Sequence, residues 1–183
     1  MTAATPPPAL SLRTPPRTPP PVVRCAREAD APELAALSAP FVRSGALRER
    51  PASVYAAHAT DFLVAESSEG DLGDLGDLGD LGGLGGCVGL RVYPGGERGL
   101  TGVLYNFCVA EHMQGRGVGA ELLRAALAMA RAGALDAVFT ATTGGGDLFL
   151  RYGFAPASAQ SAPPSWAASL DPRRNARVLA RDL

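Results

Sequence analysis

The sequence predicts a mixed α/β (α+β) fold on a predominantly antiparallel sheet. Two observations carry this reading. Apolar residues switch along the chain between strand-like alternation and helical spacing, and three strand-like segments follow one another before the strongest helix, as in a meander. A chain of 183 residues, 46% hydrophobic and 19% charged, suits one ordinary domain with a real core.

The elements follow in order. Residues 22–26 are a short β-branched run. Asp30, Ala31, Pro32 and Glu33 then supply an N-cap, an early proline and an N3 glutamate ahead of Leu34 and Leu37, which predicts a capping box opening a helix. A second helix is predicted over 51–59, strands over 62–66 and 87–93, and a longer strand over 100–109. From 117 to 132, Val118, Leu122, Leu123, Ala126, Leu127 and Ala130 recur at helical spacing and Gly133 supplies the stop. Residues 137–141 read as a buried strand, 147–152 as a short helix stopped by Gly153, and 154–157 and 176–183 as strands.

Two segments stand apart from this pattern. Residues 1–21 hold half of the 16 prolines and few large apolar residues, so they predict a disordered tail ahead of a domain spanning 22–183. The tail has no apolar core of a signal peptide, and its Pro-Pro-Pro would break a transit helix. Residues 70–86 repeat Gly-Asp-Leu, and without proline this is not collagen. The spacing does not suit stacked calcium-binding repeats, which leaves a lengthened hairpin loop, and no metal site is expected.

Charge and cysteine usage exclude several functions. A net charge of -1 provides no field to draw the chain onto nucleic acid or an anionic membrane. Charged residues, glycine or proline interrupt every apolar run, so no membrane span is expected. Cys25, Cys87 and Cys108 are too few and too widely spaced for a disulfide framework or a zinc cluster, which fits a reducing cytoplasm. All 17 basic residues are arginine, which excludes a lysine Schiff base and a Walker-type lysine.

The chemistry concentrates where the 100–109 strand runs through a Gly-rich turn into the strongest helix. Such a turn offers unpaired N–H groups and a positive helix end to an anion, here expected to be a pyrophosphate. The turn carries the spacing Gln/Arg-x-x-Gly-x-Gly/Ala, filled by Gln114, Gly117 and Gly119 with Gly115, Arg116 and Val118 between them.

On these residues the chain resembles the GCN5-related N-acetyltransferases (GNAT). The resemblance implies a GNAT fold, a central, mostly antiparallel sheet of six to seven strands flanked by about four helices. It implies acetyl-CoA as co-substrate, with the pyrophosphate on Gln114 to Gly119 and the pantetheine along Phe107, Cys108 and Val109. A second landmark of the family, a short helix ending in an aromatic-x-x-x-Gly-Phe pattern, is matched by Phe149, Gly153 and Phe154.

A narrower similarity is to the acetyltransferase domain of N-acetylglutamate synthase, an enzyme of arginine biosynthesis. It is carried by stretches at 40–47, 61–66, 86–90 and 174–179. It implies glutamate as the acceptor, with Arg50 and Arg174 as its carboxylate ligands and Asn106 beside them. A guanidinium suits that role because its planar fork bonds carboxylate bidentately. In place of the family's final Arg-Arg-Ser-Lys-like run stands Arg174-Asn175-Ala176-Arg177, without the serine. An arsenic-resistance acetyltransferase family is similar at 86–90 and at Thr142-Thr143, which leaves another small amine or a toxin as a rival acceptor.

Transfer requires a neutral amine to attack the thioester and a proton for the leaving thiolate. The usual glutamate base on the fourth strand and tyrosine acid on the short helix are absent, since Tyr105 and Asn106 occupy the strand and Phe149 the helix. Tyr152 is the remaining candidate acid, and Cys108 is a candidate nucleophile without a residue spaced to activate it. These gaps keep open a third reading, a CoA-binding sensor without turnover. A homodimer is an expectation from the fold alone.

Overall fold

The computed structural model describes residues 21–66, 83–94, 99–144 and 146–183. Twelve elements follow in order: β1 (Val23–Cys25), α1 (Ala31–Arg43), α2 (Ala52–Ala57), β2 (Phe62–Glu66), β3 (Leu84–Pro94), β4 (Leu100–Val109), α3 (Val118–Ala132), β5 (Ala137–Thr142), α4 (Asp147–Arg151), β6 (Ala155–Pro156), α5 (Pro164–Ala168) and β7 (Arg177–Asp182). The strands form one sheet in the order β1-β2-β3-β4-β5-β7-β6. Every pair is antiparallel except β4 with β5. Parallel neighbours need a crossover, and α3 supplies it.

Helix α3 forms because its apolar positions recur on one face and nothing interrupts it for fifteen residues. That face is buried through Val118, Leu122, Leu123, Ala126, Leu127 and Ala130, and each fully buried leucine contributes about 1.5–3 kcal/mol. It packs on Leu63, Ala65, Val88, Leu90, Leu104 and Val138 of the sheet, with Phe149 and Phe154 from the α4 region. On the opposite face α1 and α2 bury Leu34 and Tyr55 against Phe62, Val64, Cys87 and Cys108.

Residues 1–20 of the predicted tail and the repeat up to residue 82 lie outside the described residues. Strand β3, however, begins at Leu84 and not at 87, so Gly85 and Gly86 belong to the sheet and not to a loop. The reason is close approach: a Cβ at Gly86 would stand 3.0 Å from the Cys108 carbonyl oxygen and from a Leu122 methyl, and 3.1 Å from Val118. The predicted capping box is also rearranged. The Asp30 carboxylate turns back to accept the Arg27 N–H at 2.7 Å, while Glu33 reaches out to accept the Leu84 N–H at 2.6 Å. Helix α5 is an addition to the predicted elements. Its five residues are too few to show a period, and it is anchored by Trp166, whose ring centroid lies 6.3 Å from that of Phe139.

Two features of β4 shape the space beside it. Its pairing with β5 runs only from Thr101↔Ala137 to Leu104↔Thr140, after which the two strands part. Against β3 the register jumps between Cys87↔Cys108 and Gly89↔Tyr105, so Asn106 and Phe107 together face Val88 in a β-bulge. Asn106 absorbs the kink with φ of +50°, a left-handed conformation that asparagine tolerates better than most residues. Among the described residues, no helix is long and apolar enough to cross a membrane.

Candidate active site

The parted strands leave main-chain groups of β4 without a strand to pair with. Ala110 N–H donates to the Gly85 carbonyl at 2.9 Å. Because antiparallel bonding alternates by residue, Val109 directs its N–H and C=O to the other edge, from which β5 has departed. The Gln114 side chain accordingly donates to the Val109 carbonyl at 3.1 Å, tying the turn to the strand end.

The turn itself is open. Gly115 and Gly117 have φ of +77° and +87°, and a Cβ on either would meet nothing within 4 Å. Gly117 caps α3 without a side-chain bond to the helix, so the first N–H groups of a fifteen-residue helix face the turn. This cradle fits a pyrophosphate by its shape and its donors. Gly119 serves packing instead. A Cβ there would stand 3.3 Å from Leu148 and 3.5 Å from Phe107, so the residue lets α3 press onto both.

Beside the upper part of β4 lies a cleft of about 410 Å³, lined by the 46–50 loop, β3, β4, the start of α5 and the 169–176 segment. Among the described residues four guanidiniums line it, those of Arg48, Arg50, Arg91 and Arg174, against the single carboxylate of Asp171. Arg91 is paired, its Nε 3.2 Å from the Asp61 carboxylate. The other three have only uncharged hydrogen-bond partners among the described residues. Arg48 donates to the Ser169 carbonyl, Arg174 to the carbonyls of Gly45 and Ala46 at 2.7 and 2.6 Å, and Arg50 to the Arg48 carbonyl at 3.2 Å and Asn106 Oδ1 at 3.1 Å. Asp171 uses one oxygen to accept the Arg173 N–H.

Tyr105 forms part of the cleft wall. Its ring lies between two guanidiniums, with the Arg50 and Arg91 carbons 5.3 and 5.0 Å from the centroid. Its hydroxyl donates to Asp61 at 3.1 Å. Burial, with the Asp61 carboxylate beside it, pushes the phenol well above its ordinary range, so Tyr105 stays protonated. The ring has room because the residue opposite it on β3 is Gly89, where a Cβ would stand 2.5 Å from two of its carbons.

Comparison with known proteins places this geometry. The family model for the acetyltransferase (GNAT) domain matches residues 58–156, just over half of the chain. The chain belongs to the GNAT family. Among solved structures the GNAT chain is similar to N-acetylglutamate synthase from Neisseria gonorrhoeae complexed with coenzyme A and N-acetyl-glutamate. The identity is 25% and the TM-score 0.75, over 88% of this chain and 35% of the synthase. The GNAT chain thus spans about a third of that enzyme's length. Rv2747 from Mycobacterium tuberculosis, solved with CoA, shares the fold at 24% identity and TM-score 0.68, over 89% of this chain and 99% of its own. An acetyltransferase of the family from Staphylococcus aureus Mu50 does so at 14% and 0.64, over 88% and 98%. No curated protein matches the sequence.

The GNAT fold brings the sequence candidates together in two groups. Phe107, Val109 and 114–119 meet at the strand end and the turn, with Phe149 5.4 Å from Phe107 between ring centroids. Arg50 and Arg174 line the cleft, as Asn106 does. Val118 contributes only main chain to the turn, because its side chain is core. One expectation needs correction. Cys108 is not a free nucleophile: its thiol is 3% exposed, turned into the core, with its sulfur 3.6 Å from that of Cys87. Contact with Cys108, together with burial, pushes the Cys87 thiol well up, while the bond from Cys87 holds the Cys108 thiol below its ordinary value, so it is burial that keeps Cys108 from acting. Asn106 lines the cleft but is 5% exposed, with its Nδ2 bonded inward to Ser38 and its Oδ1 accepting from Arg50. Tyr152 stands apart from the cleft, its ring centroid 5.7 Å from the Arg124 guanidinium on α3.

Sequence reasoning missed Arg48, Arg91 and the Gly89–Tyr105 pair. Arg91 and Gly89 sit on the same face of β3 by alternation. That signal becomes readable only once the register across to β4 is known.

Proposed function

We propose that this GNAT domain transfers the acetyl group of acetyl-CoA to the amine of a small acidic amino acid, with glutamate as first choice. The observation that carries the reading is the cleft in which Arg48, Arg50 and Arg174 have only uncharged partners. Guanidiniums left with neutral acceptors gain more from a carboxylate, because charge-assisted bonds are about twice as strong as neutral ones. Several such groups around one cleft suit an acceptor with two carboxylates. The synthase from N. gonorrhoeae, complexed with coenzyme A and N-acetyl-glutamate, supports the same choice.

Acetyl-CoA supplies an activated acyl group. In this reading the Gly115–Gly117 turn and the first N–H groups of α3 hold its pyrophosphate, and the Val109 N–H is positioned for the thioester carbonyl. The arginines fix the acceptor so that its amine meets the gap between β4 and β5. No carboxylate base stands on β4 there, so orientation and the polarised carbonyl carry the rate. Water takes the ammonium proton, the neutral amine forms the C–N bond as the C–S bond breaks, and the leaving thiolate takes the proton that the nitrogen then sheds. Such an activity belongs in the cytoplasm, at the entry to arginine biosynthesis.

The deciding experiment is thiol release from acetyl-CoA with glutamate, glutamine, aspartate and amine toxins as acceptors. Turnover led by glutamate supports the reading, and turnover led by an uncharged amine overturns it. In the same assay Arg174→Ala is expected to raise the glutamate KM about 10–100-fold, the loss of one hydrogen bond to a charged group. The KM for acetyl-CoA should stay unchanged.

A further inference from the structure

Three buried side chains stand behind the cleft. Tyr55 is wholly buried, Ser38 is 1% exposed and Asn106 is 5% exposed. Asn106 Nδ2 donates to Ser38 Oγ at 2.9 Å, the Ser38 and Tyr55 hydroxyl oxygens are 3.0 Å apart, and the Tyr55 hydroxyl donates to Asn106 Oδ1 at 3.2 Å. The Tyr55 hydroxyl has one proton and two acceptors within reach, Ser38 Oγ and Asn106 Oδ1, and the three groups close a ring of hydrogen-bond contacts. Burial as the leading cause pushes the Tyr55 phenol up, so the proton the ring needs stays in place.

The two hydroxyls anchor the Asn106 side chain, and the Arg50 cation decides which way its amide faces. Its NH₂ is held by Ser38, which leaves the carbonyl oxygen to accept from Arg50 Nη1 at 3.1 Å. With the amide reversed, two N–H donors would oppose a cation. Asn106 makes the side-chain hydrogen bond that Arg50 has besides its contact with the Arg48 carbonyl and the face of Tyr105. It holds the guanidinium without neutralising it.

We propose that Tyr55, with Ser38, is a positioning residue for the acceptor: acting through the Asn106 amide, it fixes where Arg50 presents its charge to the cleft. This rests on reading the cleft as the acceptor site. Neither side chain lines the cleft, so both act at one remove, and their effect falls on acceptor binding and not on the coenzyme.

The test uses the full chain with Tyr55→Phe, which keeps the ring shape and removes the proton. The KM for the preferred amine is expected to rise about 3–10-fold, the worth of one neutral hydrogen bond. The kcat and the acetyl-CoA KM should each stay within about twofold, which general damage to the core would not spare. Ser38→Ala should move the same KM in the same direction, and the double variant should cost less than the sum of the two, because both break one ring. A substrate-free readout is the NMR signal of the Arg50 Nε–H, assigned by its loss in Arg50→Lys and expected to shift or broaden in Tyr55→Phe. If acidic amines are poor acceptors yet that signal still moves, the substrate reading fails and the positioning role stands. An unchanged Arg50 signal and an unchanged acceptor KM in both single variants overturn the proposal. If Tyr55→Phe does not fold, Ser38→Ala answers by the same two readouts.

Discussion

A Cβ added at Gly89 would stand 2.5 Å from two carbons of the Tyr105 ring, which is itself wedged between Arg50 and Arg91. Both guanidinium carbons lie over that ring, at 5.3 and 5.0 Å from its centroid, so displacing it disturbs both contacts. Gly89→Ala is therefore expected to cost about 1–3 kcal/mol of stability, as overpacking does, and to lower acceptor kcat/KM at unchanged acetyl-CoA affinity. Urea melts and two-substrate kinetics check the two halves. Gly117 is constrained differently. Space around it is empty, but its φ of +87° disfavours a branched side chain. Gly117→Val should add strain of about 1–3 kcal/mol and weaken acetyl-CoA binding by calorimetry, and undiminished affinity would remove the turn from the coenzyme site. The second glycine was legible in the sequence because its motif is local. The first was not, because it matters only through a residue sixteen positions away whose register a bulge decides.

Where β1 meets α1, Arg24 donates twice to Asp30, at 2.7 and 3.0 Å, and once to Glu66 at the end of β2, at 2.5 Å. The sequence marked Asp30 as a helix cap. It became the joint between a strand and a helix because Arg24, on the edge strand, lies within reach of its carboxylate. Hydrogen bonding from Arg24 holds the Asp30 carboxyl below its ordinary value of 3.8. A group depressed in this way stabilises the fold fully above its unfolded value and loses that contribution as pH falls through the lower, folded one. The thermal stability of the wild type should exceed that of Asp30→Asn at pH 7, and the difference should shrink steadily below about pH 4. A difference constant from pH 7 to pH 2 would show that the pairing contributes nothing. Helices with a long apolar period, such as α3, could be read directly, whereas the five residues of α5 could not.

Across the whole molecule, residues far apart in sequence close the arginine-lined cleft. Arg48 donates to the carbonyl of Ser169, 121 positions away, and Arg174 to that of Gly45, 129 positions away. Each guanidinium holds the other's segment as well as facing the cleft, so Arg48→Ala and Arg174→Ala should be coupled. Their double variant is expected to lose acceptor affinity by less than the sum of the single losses, measured as glutamate KM in a double-mutant cycle. The coenzyme half was readable before the fold was known, since its strand, turn and helix are continuous. The acceptor half was only partly readable: Arg50 and Arg174 were marked by resemblance, but nothing local says that they meet. The stretch matched by the family model, 58–156, contains the turn and β4 but none of Arg48, Arg50 or Arg174. The three arginines with only uncharged partners thus come from two flanks that meet only after folding, against a wall of β3 and β4 that includes Arg91 and Tyr105. On the proposed reading, a change of acceptor calls for both flanks to be exchanged together, because Arg48 and Arg174 are each held by the other's segment.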